Sequence, residues 1–157
     1  MGAWAGQIAF IQIAPRATEK LFSVQEALAI AGEGLEGDRY VKKAGTFSKK
    51  PGGGREITLI ELESVEALKR DLKIELEPAE TRRNIVTRGM PLNHLVGQRF
   101  RLGREVVLQG VRLCEPCEHL ENLTLKGVRE GLIHRGGLRA DIVTGGTIRV
   151  GDPVTPA

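Results

Sequence analysis

The chain has 157 residues, 41% apolar and 27% charged, with a formal net charge of +3. That is the composition of one ordinary globular domain, long enough to bury roughly 70% of the surface its unfolded form exposes. No run of about 18 apolar residues is present to suggest a spanning helix, and the opening "MGAWAGQIAF" has neither the basic head nor the long apolar stretch of a secretory signal.

In chain order, "GQIAFIQI" (Gly6 to Ile13) alternates polar and apolar residues and predicts a strand. "SVQE" has the form of a capping box, Ser23 with Glu26, and predicts a short helix or turn through Ile30. A glycine- and lysine-rich stretch follows, in which Lys42 to Gly54 is expected to be a mobile loop or lid. "EITLI" (Glu56 to Ile60) predicts a strand that feeds the helix "ELESVEALKRDL", with Leu62, Val65, Leu68 and Leu72 on one buried face. "RRNIVTRG" carries a short strand and "PLNHLVG" a helical turn beginning at proline. "QRFRLGREVVLQGVRL" predicts two strands joined tightly at Gly103-Arg104. "LKGVREGL" predicts a second short helix with Thr124 as its cap. "ADIVTGGTIRVGDPV" predicts two strands forming a hairpin across Gly145-Gly146. Many short strands with few helices point to a mainly β fold with peripheral helices (α+β), a barrel or sandwich. Neither a repeat nor a linker divides residues 1–157, so one domain is expected.

Two features carry chemistry. Between Arg82 and Arg149 there are eleven arginines and one lysine, Lys126. Arginine presents a planar donor fork to phosphate or carboxylate, so the run reads either as a solvated face or as a site for a small anionic ligand. Nucleic acid is not expected, because four Phe, one Tyr and one Trp leave little for bases to stack on. The second feature is "VRLCEPCEHL", which holds both cysteines, Cys114 and Cys117. They cannot build a disulfide framework, which fits a reducing, cytoplasmic setting. Three readings stand: half of a zinc site with His119, Glu118, Glu121, His94 or His134; a redox dithiol; or one working thiolate with a neighbour. Pro116 fixes the backbone ahead of Cys117 and Arg112 offers it a positive neighbour, which suits the third.

The segments "GLEGDRY", "GREITLIELESVEAL", "RRNIVTRGMPLNHLVGQRFRLG", "VRLCEPCEHLE" and "LRADIVTGGTIRVGDPV", in that order, resemble the MOSC domain. That family is named for the C-terminal domain of molybdenum cofactor sulfurases and includes small free-standing bacterial proteins. The resemblance runs from about Gly34 to Val154. It implies a β-barrel fold, binding of molybdenum cofactor (molybdopterin), and a cysteine that ligates molybdenum or carries sulfur as a persulfide. That cysteine matches Cys117. Asp38 and Arg39 match the family's Gly-Asp-Arg, Arg83 and Asn84 its Arg-Asn pair, and Arg112 the basic residue leading into the cysteine motif. Cys114 is an additional thiol that either resolves a persulfide or packs.

The cofactor's chemistry makes physical sense of these residues. It is a pterin dithiolene bearing a phosphate, so a soft thiolate suits its metal. Arginines and backbone N–H groups at glycine turns suit its oxygens. Alternatives stay open: Asp38 as a salt-bridge partner of Arg39 or Arg83, Asn84 as a turn cap, and Arg135 either near the site or on a solvated turn. The amidoxime-reducing members carry an extra N-terminal barrel domain and the sulfurases a pyridoxal-phosphate domain. Neither is expected in this chain, so a sulfur donor, a redox partner protein or a homodimer mate is expected to complement it. Two functions follow from the resemblance, reduction of N-hydroxylated compounds or sulfur relay. The alternative from a different class is a non-catalytic binding module with a structural zinc or dithiol.

Overall fold

The computed structural model describes residues 3–41, 53–116 and 118–157. Cys117 and most of the expected loop Lys42 to Gly54 lie outside the described residues, as do the readings that turn on the side chains at 118 and 119.

Among the described residues, seven strands close into a ring. The strand β1 (Gly6–Ile13) pairs with β6 (Ile85–Arg88), which pairs with β5 (Ile57–Glu61). The ring continues through β9 (Leu138–Thr144), β8 (Val106–Leu113), β7 (Arg99–Leu102) and β11 (Pro153–Pro156), and closes on β1 with Gly6 opposite Val154. Short β2 (Phe22–Val24) extends β1 beyond that closure. A separate sheet holds β10 (Gly146–Arg149), β3 (Glu26–Ile30) and β4 (Gly34–Leu35) in that order.

The ring's pairs are antiparallel apart from β5–β6. Parallel neighbours need a crossover connection, and α1 (Leu62–Leu72) with the 3-10 turn Pro78–Thr81 supplies it. That places a helical layer on the outside of β5 and β6. Strand β5 therefore serves two cores: Ile57 and Leu59 join the barrel interior with Ile8, Phe100 and Leu138. Ile60 faces outward to Val65 and Leu68 of α1. Leu120 of α2 (Glu118–Leu123), together with Val128 of α3 (Val128–Gly131) and Leu132, completes this second core.

Four sequence expectations are corrected by tertiary pairing. Ser23 and Glu26 open no helix; they lie on β2 and β3, whose partners are β1 and β10, and strand pairing overrides the local capping signal. Gly145-Gly146 is not a hairpin. Both edges of β9 are already occupied by β5 and β8, so the chain leaves the barrel and β10 pairs with β3. Leu72 does not belong to the buried face of α1: it is 45% exposed, and the buried set is Ser64, Val65, Ala67 and Leu68. Thr124 does not cap α3. Its hydroxyl donates back to Leu120 O (2.7 Å), and Gly127 occupies the cap position. No helix among the described residues is long and apolar enough to cross a membrane.

Candidate functional site

One rim of the barrel gathers the residues of interest. Strand β8 ends at Leu113, and the next residue, Cys114, donates its N–H to Gly137 O (2.7 Å) at the start of β9. The loop Cys114–Pro116 lies directly on the Gly136-Gly137 turn. A side chain at Gly136 would meet Cys114 O and lie 3.1 Å from Pro116 N. Gly137 has φ 113° and Leu59 O against it, so this position excludes a Cβ on both counts. Glu115 fastens the other side: its carboxylate accepts from His134 N (3.2 Å), and His134 O accepts from Asn93 Nδ2 (2.6 Å). Cys114 itself is buried.

Arg83 is the centre of this fastening. Its buried guanidinium donates through Nε to Gly136 O (2.8 Å), through Nη2 to Cys114 O (3.2 Å) and through Nη1 to Thr81 O (3.2 Å). Three carbonyls from three segments thus converge on one cation. Asn84, fully buried, bridges β1 and β5. Its Oδ1 accepts from Thr58 N (3.1 Å) and Thr58 Oγ1 (3.2 Å), and Nδ2 donates to Gln12 O (3.2 Å). Asp38 and Arg39 form a buried ion pair at 2.9 Å. The Asp38 carboxylate also accepts from Ala14 N (3.0 Å) and Tyr40 N (3.3 Å). The Arg39 guanidinium lies 4.6 Å from the Tyr40 ring centroid and donates to Arg82 O (3.4 Å).

The structure therefore brings Arg83 and Cys114 together and links Asp38 and Arg39 to them through Arg82. Arg135 points elsewhere, donating to Gly131 O (2.8 Å) and pairing with Asp71 of α1 at 3.4 Å. Arg112 stays on the rim, where its Nη1 donates to Gly53 O.

Sequence reasoning missed two companions of Arg112. Arg139 is its direct partner across β8 and β9, and Arg55 lies beside both. Burial, then Arg112, then Arg139 lower the pKa of Arg55. Gly54 (φ 78°) makes this approach feasible: a Cβ there would lie 3.1 Å from Arg139 Cβ and 3.3 Å from Arg112 Nη1. The arginine-rich composition was a signal for Arg139, but the cross-strand register is what makes it a neighbour. Like charges directly opposite one another destabilise a strand pair, and an anion held between them reverses the sign.

A carboxyl pair flanks the cluster. Glu56 accepts from Gly32 N and Ile142 N, both at 3.0 Å, and Asp141 accepts from Gly54 N (2.7 Å). Burial first, and then the charge of Asp141 and a side-chain hydrogen bond with it, push the Glu56 carboxyl up against the pull of those two N–H groups. The rim thus offers three guanidiniums suited to an oxyanion, the Glu56–Asp141 carboxyl pair and the cysteine loop.

A MOSC domain family model matches residues 45–155. No curated protein matches the chain. Among solved structures, the YuaD protein from Bacillus subtilis superposes with a TM-score of 0.82 at 17% identity, covering 97% of each chain. YiiM from Geobacillus stearothermophilus gives 0.70 at 15% identity, covering 97% of this chain and 75% of that one. YiiM from Escherichia coli gives 0.66 at 16%, covering all of this chain and 70% of that one. At such identities the superpositions speak for the barrel alone, and the family model, matched along most of the sequence, establishes that this chain belongs to the MOSC domain family.

Proposed function

We propose that this chain binds molybdenum cofactor at the rim that carries the cysteine loop, and there reduces N-hydroxylated compounds or relays sulfur. MOSC domains are associated with that cofactor in general. The observation that carries the reading is the placement of Arg55, Arg112 and Arg139 around the strand ends that lead into Cys114. The residues present fit the group. Crowded guanidiniums, one of them with a lowered pKa, gain from a phosphate-type anion, and a thiolate is a fitting ligand for a sulfur-bound metal.

When bound, the cofactor supplies a thiophilic metal centre capable of two-electron chemistry. Everything else is the work of the chain. Arg112 with Arg55 and Arg139 holds the anionic end, and Cys117 is the proposed ligand or sulfur-bearing thiolate. Asp38, Arg39, Arg83 and Asn84 are positioning residues in this reading: their hydrogen bonds go to carbonyls, N–H groups and one another. Arg83 in particular fixes the Cys114 carbonyl and so the start of the cysteine loop.

The test is purification from a cofactor-competent host, followed by pterin fluorescence, metal analysis and intact-mass spectrometry. Pterin with molybdenum in the wild type, lost in Cys117→Ser and reduced in Arg112→Met, supports cofactor binding. The mass of one added sulfur on Cys117 without pterin supports the relay alone. One equivalent of zinc that disappears when either cysteine is replaced would sink both.

A further inference from the structure

A cavity lies away from the arginine cluster. It has a volume of about 650 Å³ and opens between the Thr18–Leu21 turn, the Pro78–Thr81 turn with Arg82, and Leu123 at the end of α2. That size suits a small organic ligand.

Its wall is strained. Thr18 and Arg82 both hold left-handed backbone, with φ of 66° and 61°. Thr18, being β-branched, is a steric outlier there, whereas Arg82 takes this conformation as the C-cap of the 3-10 turn. Strain of this kind persists where the surroundings impose it, and it concentrates at ligand sites. At Arg82 the surroundings are clear. Its N–H donates to Ala79 O (3.3 Å), its carbonyl accepts from Arg39 Nη2 (3.4 Å), and its Nη1 donates to Glu19 O. Together these hold the guanidinium at the cavity.

Two carboxylates share the wall with that guanidinium, but neither is in direct ion-pair contact with it. Glu77 and Glu80 also line the cavity, but they are turned onto the 3-10 turn in a reciprocal capping box, with Glu80 accepting from Glu77 N at 3.0 Å. Asp38 is already paired with Arg39. Among the described residues Arg82 forms no ion pair. Burial, and then the Arg39 charge, lower its pKa to about 10, against the smaller pull of Tyr40 and Asp38. Lys20 adds a second positive charge at the wall, while Leu21, Ala79 and the 39%-exposed Leu123 supply its apolar part.

We infer that this cavity binds a small organic carboxylate, with Arg82 and Lys20 taking the carboxylate and Leu21, Ala79 and Leu123 taking an apolar body. The ligand would be coupled to the cysteine loop from two sides. Arg82 is followed by Arg83, which holds Cys114 O, and α2 begins one residue after Cys117. The inference does not rest on the molybdenum reading, and its test needs no cofactor.

Calorimetric titration of the full chain with 4-phenylbutyrate, its neutral amide and inorganic phosphate separates the contributions. The acid is expected to bind about tenfold or more tightly than the amide, the margin of one charge-assisted hydrogen-bond pair. Arg82→Asn suits the left-handed backbone, so it removes the cation while keeping the local turn, and it should abolish that margin. Leu123→Glu, at an exposed position, should weaken the acid by a similar factor and the amide much less. Equal binding of acid and amide, an unchanged margin in both variants, or phosphate binding as tightly as the acid would each overturn the assignment.

Discussion

Replacing Arg83 by methionine keeps the length of the side chain and removes the cation that gathers Gly136 O, Cys114 O and Thr81 O. All three residues are buried, so water does not simply take the guanidinium's place. A buried acceptor left without a partner costs about 1–3 kcal/mol. Three such carbonyls, partly relaxed, put the loss at about 3–5 kcal/mol. For a domain of this size each kcal/mol moves Tm by about 2–4 °C, so a fall on the order of 10 °C is expected. A stability of about 0.05–0.15 kcal/mol per residue leaves the variant folded at room temperature. The assay is calorimetry paired with urea unfolding, run beside Arg112→Met. That control loses one exposed hydrogen bond at a half-buried position and should stay within about 0.5–1 kcal/mol of wild type. A loss below about 1 kcal/mol at Arg83, or equal losses at both positions, would refute the assignment of Arg83 as the clamp of the cysteine loop.

Other predictions follow from the same contacts. Asn84→Leu strands Thr58 N and Gln12 O between β5 and β1 and should lose about 2–4 kcal/mol in urea unfolding; a neutral result would mean the amide is not holding the strands. Gly137→Ala meets both a left-handed backbone (φ 113°) and Leu59 O, and a loss of more than about 2 kcal/mol is expected from combined strain and clash. The Glu56 carboxyl is raised in the folded protein above its ordinary value of 4.5, so the native state binds more protons than the unfolded one. The stability from Glu56 is fully present below that ordinary value and is lost as pH rises through the folded value. Glu56→Gln should flatten this fall when unfolding free energies are measured from weakly acidic to neutral pH, and an unchanged slope would show that another group is responsible.

Where a segment's structure depends on its own periodicity, the sequence was readable. Strand β1, the β5–α1 unit, β6, the Pro91 turn and the tight β7–β8 connection all declare themselves by local alternation or helical spacing. Where the partner decides, it was not. The same residues Ser23–Glu26 satisfy a capping box and two strands, and only the availability of β1 and β10 selects the strands. Gly145-Gly146 turns the chain to another sheet because β9 has no edge left to offer. The candidate site divides in the same way. The MOSC resemblance drew attention to Asp38, Arg39, Arg83 and Asn84, but composition says nothing about whether a donor meets a ligand or a main-chain carbonyl. The grouping of Arg55, Arg112 and Arg139 depends on a register that shifts between Gly110 and Arg112, which no local pattern encodes.

The pairing of Gly6 with Val154 means that the ring joins its first strand to its last. During synthesis, therefore, no barrel can exist until nearly all of the described sequence has left the ribosome. Until that moment β7 and the Gly6-Gln7 end of β1 present unsatisfied edges, the kind of surface that invites pairing with other chains. Closure is consequently a late, long-range event, and residues near the end of the chain, far from the cysteine loop in sequence, control whether that loop ever acquires its platform.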